Sequence, residues 1–452
     1  MPSYNEALDL LITEAQHAPP TTETVPLCDA LNCISKCEYR SPSSTPKHDT
    51  SAMDGYALNA AATRTASPST PIVFHVAGTM AAGDAAMVIS GEPDSDASVY
   101  PCVEIMTGAS FPEAIEGDHR PFDSCVRLED VDVLVGKGET PPGNRYIQVV
   151  KPLDANQNRR LAGDDFSEGD TVVEAGTRIK PKNVMALAAI GVRQVEVVRR
   201  IKVGVFSTGN ELSANARSRV HDVNGPYVTA CLQDWGIDAD FLGVLDDGAE
   251  TMVSALESRL RGNKYDIIIS TRGVSTGRFD LIPAALEDLC ARIVFHKIAI
   301  RPGHLGLFAK IPVPDADGPE TTFFGMPGNP VASAACLRFL VLPYVQRLQG
   351  QPSEPAFKAA IRRDHNESQT NGTVKHDTNG FGSLISTCPA DKDVFRPGVF
   401  HRHRTGKLDV TLIDDHSLGK INPFLQSNCW IHIPQGESEL HEGDIVDIFL
   451  NE

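Results

Sequence analysis

The stretch Lys202-Val203-Gly204-Val205-Phe206-Ser207-Thr208-Gly209-Asn210-Glu211 decides the fold class. Its first half is apolar without alternation, the pattern of a strand covered on both faces of a parallel sheet. Its second half delivers two hydroxyls, a glycine and a carboxylate together at the carboxyl end of that strand. Backbone N–H groups around a glycine approach phosphate oxygens, and the hydroxyls of Ser207 and Thr208 can bond them. A tight turn that caps the next element would use the same residues.

Beyond this segment the pattern alternates. A helix is predicted over 225–233, a strand over 241–244, a helix over 251–260 with Val253, Leu256 and Leu260 on one face, and a strand over 265–270 with an unbroken isoleucine centre. Such alternation predicts right-handed βαβ units and a doubly wound α/β sheet, whose ligands sit at the carboxyl strand ends. The loop 271–280 carries Arg272, Gly273, Ser275, Arg278 and Asp280, too much charge and hydroxyl for a minimal connection. Asp280 suits either a catalytic or metal-binding carboxylate or the N-cap of a helix over 281–289. Residues 323–330 turn a strand into an apolar helix over 331–342, with Pro330 in the first turn and backbone donors at Pro327, Gly328 and Asn329 facing an anion site. Lys297, Arg301 and His304 form a basic cluster on a strand and turn just upstream, where solvation of a surface is the plainer alternative.

The flanks differ. Residues 4–18 have helical spacing, with Ser3 placed as the cap. Residues 72–76, 99–106 and 145–150 are β-rich, and 171–198 holds a turn at Gly176, a short helix over 184–190 and a strand over 194–198. The polar stretch 353–393 is expected to be a linker or an elaborated edge; strands then return at 408–412, 430–433 and 443–450. A chain of 452 residues is too long for one ordinary core, so three or four domains are expected. Its formal charge of −18, from 41 Lys+Arg against 59 Asp+Glu, disfavours nucleic acid and anionic membranes as partners. Any anionic ligand therefore needs a local cluster of donors. No stretch is expected to reach the length of a membrane span, and the ten scattered cysteines suit free thiols in a cytoplasmic protein.

Seen together, these loops resemble the molybdopterin molybdenumtransferase family, the bacterial MoeA and gephyrin E-domain type. Ser51-Ala52-Met53-Asp54-Gly55-Tyr56-Ala57 looks like its signature, Met106-Thr107-Gly108-Ala109 its threonine loop, and residues 160–165 with Ala175-Gly176-Thr177 its connecting segment. Residues 207–211, 273–277 and 325–330 match its pterin-binding core. The resemblance implies an α/β multidomain protein: a discontinuous, elongated α+β connecting domain (1–50 and 146–196), a β-rich domain (51–145), a doubly wound molybdopterin-binding domain (197–352) and a C-terminal β domain (353–452). It also implies a homodimer, with adenylylated molybdopterin and molybdate as substrates, AMP as product, and a separate adenylyltransferase as partner.

Catalytic roles then fall on Asp54, Thr107, Asp165, Glu211, Asp246 and Asp280, with Glu211, Asp246 and Asp280 holding Mg2+ or another divalent metal. Substrate contacts fall on Arg160, Ser207, Thr208, Gly209, Gly273, Ser275, Lys297, Arg301, His304, Pro327, Gly328 and Asn329. The chain departs from the family pattern at Asn210, Arg272, Arg278, Arg301, His304, Asp222-Val223-Asn224 and Leu418-Gly419-Lys420. Two alternatives share the same fold: a paralogue recruited to another anionic small molecule, and a non-catalytic scaffold.

Overall fold

The computed structural model describes residues 1–17, 21–93, 99–118, 120–135, 145–209, 212, 220–245, 249–260, 265–274, 281–313, 320–363, 383–404, 406–413 and 420–451. The chain divides into two compact units, residues 1–24 with 31–36 and 196–452, and residues 25–30 with 37–195.

In the first unit, strands Asp238–Leu245, Lys202–Thr208, Ile267–Thr271, Thr321–Met326, Leu307–Ile311 and Arg292–His296 lie side by side in that order. The first four run parallel, and Leu307–Ile311 runs against both its neighbours. The chain goes outward from the Lys202 strand to the Asp238 strand and then returns past it to the Ile267 strand. The order therefore reverses between the Lys202 and Ile267 strands, and the carboxyl ends of two such strands are where doubly wound sheets form their ligand crevice. Both faces of the sheet are covered, which is why the isoleucine run does not alternate. Ile267 and Ile269 pack with Val228, Leu232 and Phe324, whereas Ile268 packs with Met252, Leu256 and Ile282.

The helix expected over 331–342 starts at Pro330 and continues through a π-helical turn, Leu337–Val341, to Leu348. It is long and apolar enough to cross a membrane, with a mean hydropathy of 1.2, which corrects the expectation that no stretch approaches that length. Its apolar character has another cause, since 72% of it is buried in the protein. Helix Tyr4–Gln16, closed at its start by a capping box between Ser3 and Glu6, buries Tyr4, Leu11 and Ala15 in the same core beside Phe339 and Phe395. The opening helix thus sits with the α/β sheet, not with the connecting segment of residues 1–50.

Strands Asp393–Arg402, Leu408–Leu412, Phe357–Arg362, Ile445–Leu450 and Cys429–Ile433 pair in that order, and the last also pairs with the first to close a small barrel. Phe357–Arg362 and Leu384–Thr387 are strands within the stretch read as a linker or an elaborated edge. The inward positions of the former are Ala359 and Ile361, too small a signal among charged neighbours to announce a central strand.

The second unit is built on a sheet ordered Ser124–Arg127, Gly55–Leu58, Tyr100–Ile105, Ile72–Met80, Arg145–Val149 and Val131–Val135, in which only the Tyr100 and Ile72 strands run parallel. Tyr56, Leu58, Phe74 and Ile147 fill one of its cores. None of the ten cysteines is joined in a disulfide.

Candidate functional site

At the crevice, the Ser207 and Thr271 hydroxyls are hydrogen-bonded to each other at 2.8 Å, tying the two strand ends together. Ser207 and Thr208 are 0% and 1% exposed. The hydroxyls expected to reach phosphate oxygens are therefore buried in the floor, and Ser207 acts as a strut there. Gly273 follows in a left-handed conformation, φ 74°, and a Cβ there would lie 3.0 Å from both Thr208 Oγ1 and Ile282 Cγ1. Only glycine lets the chain leave the strand this tightly.

Opposite, the Thr321 strand ends in the loop of Pro327, Gly328 and Asn329, and the first helical bond runs from the Ser333 N–H to the Asn329 carbonyl at 2.8 Å. Asn224 Nδ2 donates to the Gly328 carbonyl at 2.8 Å and so pins this loop to helix Asn224–Asp234. Asp222 Oδ1 in turn accepts from the N–H groups of Asn224 and Gly225, at 3.1 and 3.2 Å. The aspartate and asparagine of Asp222-Val223-Asn224 thus hold the helix start and the loop, while Val223 leaves that work to its neighbours.

The basic turn is shaped by its own backbone. The Lys297 N–H donates to the Gly306 carbonyl at 3.0 Å and the Ile298 N–H to the His304 carbonyl at 2.9 Å. Ile300–Arg301 pairs in parallel with Asp393 and Val394 of the barrel, which brings Lys392 to the turn. Partial burial, then the charges of Lys392 and Lys297, hold the His304 imidazole below the ordinary histidine range. Burial pushes the Cys388 thiol up, against which Arg396 and then Arg301 pull down. The pairing thus brings Lys392 to Lys297 and His304, while buried Arg396 shares the neighbourhood of Cys388 with Arg301 and donates to Ser386 Oγ at 2.7 Å. Lys392 and Arg396 escaped notice in the sequence, because nothing local distinguishes them from surface cations; their signal is the pairing of two distant segments.

In the second unit the signature, the threonine loop and the segment around Arg160 are stitched together. The Ser51 N–H donates to the Ala109 carbonyl at 3.0 Å, the Gly108 N–H to Ser51 at 2.8 Å and the Ala52 N–H to Asn158 at 2.9 Å. Arg159 and Arg160 pair with Ser51 and Thr50. Exposed Asp54 accepts from the Thr107 N–H at 2.7 Å and from the Thr107 hydroxyl at 2.8 Å. These two donors, the backbone one first, hold its carboxyl below the usual range. Arg160 and Asp165 form an exposed ion pair at 2.5 Å, so the arginine's charge is shared with its neighbour. Asp49, which the motif reading passed over, pairs with Arg159 and accepts from the Ala162 N–H at 2.7 Å. Burial raises its pKa, yet these partners prevail and the carboxyl stays low. A cavity of about 380 Å3 beside this pair is lined by Lys47, His48, Phe111 and Phe122 among others.

Asn210, Glu211, Asp246, Ser275, Arg278, Asp280 and Leu418-Gly419 lie outside the described residues. Among the described residues no group of three His, Cys, Asp or Glu side chains is arranged to hold a metal ion.

Comparison with known proteins agrees with this architecture. Residues 2–191 match the MoeA N-terminal region (domain I and II), residues 204–347 the probable molybdopterin binding domain, and residues 388–450 the MoeA C-terminal region (domain IV). The chain is 29% identical over 441 residues to the molybdopterin molybdenumtransferase of Haemophilus influenzae, covering 95% of this chain and 94% of that one. It is also 29% identical to the Synechococcus elongatus protein of that name, over 78% of this chain and 82% of the other. In fold it is similar to the molybdopterin biosynthesis MoeA protein of Pyrococcus horikoshii, with a TM-score of 0.67 and 22% identity over all of both chains. With its N-terminal, molybdopterin-binding and C-terminal regions matched in order along nearly its whole length, the chain belongs to the MoeA family.

Proposed function

We propose that this chain is a molybdopterin molybdenumtransferase that inserts molybdate into adenylylated molybdopterin and releases AMP. The observation that carries this reading is the reversal of strand order at the Lys202 and Ile267 strand ends, together with a basic turn that joins Lys297, Arg301 and Lys392 to His304 in a chain of net charge −18. Molybdate is an oxyanion that wants several N–H donors, and Lys297, Arg301, His304 and Lys392 would supply them. The pterin nucleotide would take the crevice, bounded by Gly209, Gly273 and the Pro327-Gly328-Asn329 loop, with Ser207 and Thr208 as its floor. Cleaving a phosphoanhydride needs charge neutralisation, and Glu211, Asp246 and Asp280 are hard oxygen donors suited to a divalent cation such as Mg2+, which would supply it. The resemblance also assigns Asp54, which Thr107 holds ionised, with Thr107, Arg160, Asp165 and Ser275.

We assign the protein to the cytoplasm as a homodimer fed by a separate adenylyltransferase. Purified protein given adenylylated molybdopterin, molybdate and a divalent cation should release AMP and yield cofactor that reconstitutes an apo-molybdoenzyme. Absence of AMP release with every divalent cation tried would refute the assignment and leave a paralogue for another anionic molecule, or a scaffold.

A further inference from the structure

At the end of the Ile267 strand the chain turns through two successive left-handed residues, Arg272 at φ 75° and Gly273 at φ 74°. Glycine adopts this conformation freely, whereas an arginine does so at a cost in backbone energy, the kind of strain that collects at binding sites. The turn is held by the Arg272 N–H, which donates to the Met326 carbonyl at 2.8 Å. That bond lays the residue beside the Pro327-Gly328-Asn329 loop, and the side chain crosses the face of Gly328. A Cβ on Gly328 would lie 2.7 Å from Arg272 Cγ, 3.0 Å from Nε and 3.4 Å from Cδ. Gly328 has no left-handed φ, so its backbone does not demand glycine; the passage of the arginine does. Asn224 pins the Gly328 carbonyl, which keeps the loop from yielding. The guanidinium is half-buried and, although burial lowers its pKa, it keeps its charge at neutral pH. A planar, multi-donor guanidinium is thereby carried beside the Pro327-Gly328-Asn329 loop at the carboxyl ends of the strands.

We propose that Arg272 is a specificity-determining residue that grips a phosphate of the bound ligand, and that Gly328 lacks a side chain so that it can. The identity of the ligand rests on the transferase reading; the grip on phosphate is tested apart from it. Binding of inorganic pyrophosphate and of adenylylated molybdopterin is measured by calorimetry for the full chain and for Arg272→Gly, Arg272→Lys, Gly328→Ala and the Gly/Ala double variant.

Loss of a charged, two-pronged hydrogen bond is expected to weaken both ligands by roughly tenfold or more in Arg272→Gly, with the fold kept because glycine suits the φ. Lysine should restore only part, as a point donor replaces a fork. Gly328→Ala should reproduce the loss by displacing the arginine, and should add nothing in the Arg272→Gly background. Equal or tighter binding by Arg272→Gly, or an alanine effect that persists without the arginine, overturns the proposal. Arginine-dependent pyrophosphate binding without molybdenum transfer removes the transferase reading and leaves the grip standing; transfer with arginine-independent affinity does the reverse.

Discussion

Two side chains show how local contacts set chemical state. Thr107 donates twice to one oxygen of Asp54, and both bonds favour the carboxylate over the acid. The folded pKa is depressed, so the stability these bonds contribute is present above the unfolded value and is lost as pH falls through the folded one. Thr107→Val keeps the N–H and removes the hydroxyl; the Asp54 pKa is expected to rise toward its ordinary value in a carboxyl NMR titration. An unmoved titration would mean the hydroxyl bond is idle.

His304 is the opposite case, a cation disfavoured by burial and by Lys392 and Lys297. Its folded form is the weaker base, so acid favours the unfolded chain and the protein loses stability as pH falls below the ordinary histidine value of 6.5. An oxyanion seated beside it reverses the balance. Molybdate should therefore bind more tightly as pH is lowered from about 8 to about 6, with proton uptake visible as a buffer-dependent binding enthalpy, and His304→Asn should flatten both.

At the scale of elements, close approach of strands and loops decides which residues are tolerated. A Cβ at Gly55 would stand 2.0 Å from the Val126 carbonyl oxygen across the strand pair. Gly55→Ala must therefore part the Gly55 and Ser124 strands, and a loss of about 1–3 kcal/mol is expected in denaturant unfolding. Arg272→Gly should do the reverse and stabilise the chain by roughly 1 kcal/mol, since it relieves a left-handed non-glycine residue at the strand end.

Lys310, on the Leu307 strand, is only 5% exposed, and its Nζ lies 3.0 Å from Thr322 Oγ1 and 2.8 Å from Tyr344 Oη. Burial lowers its pKa from 10.5, so the unfolded chain holds the proton more tightly and stability rises with pH up to about that value. Thr322 and Tyr344 are already 2.7 Å apart and stay paired without the amine. Lys310→Met is expected to stabilise the protein near pH 7, by about 1 kcal/mol or more, with the gain fading as pH rises toward 10.5.

For the molecule as a whole, a net charge of −18 repels the anions that its cation cluster must attract. Added salt shortens the reach of that repulsion, to about 8 Å at physiological ionic strength. Association of an anionic substrate should accordingly quicken in stopped flow as salt rises from a low starting value. A monotonic fall would mean that the local cluster outweighs the global charge even at a distance.

What the sequence by itself determined is whatever depends on neighbours along the chain. The unbroken apolar runs at 202–206 and 267–269 specify strands buried on two faces, the period of 251–260 specifies a helix, and the order of glycine-bearing strand ends places the crevice. The signature around Asp54 was legible because Gly55 and Thr107 answer to contacts that recur as short motifs. Tertiary structure alone decided the rest. It buried Ser207 and Thr208 as a floor, seated the opening helix on the α/β core, laid Arg272 across Gly328, and drew Lys392 to the basic turn through the pairing of Ile300–Arg301 with the barrel. Each depends on which distant segments meet, and local periodicity carries no record of that; the pairing of remote backbone does.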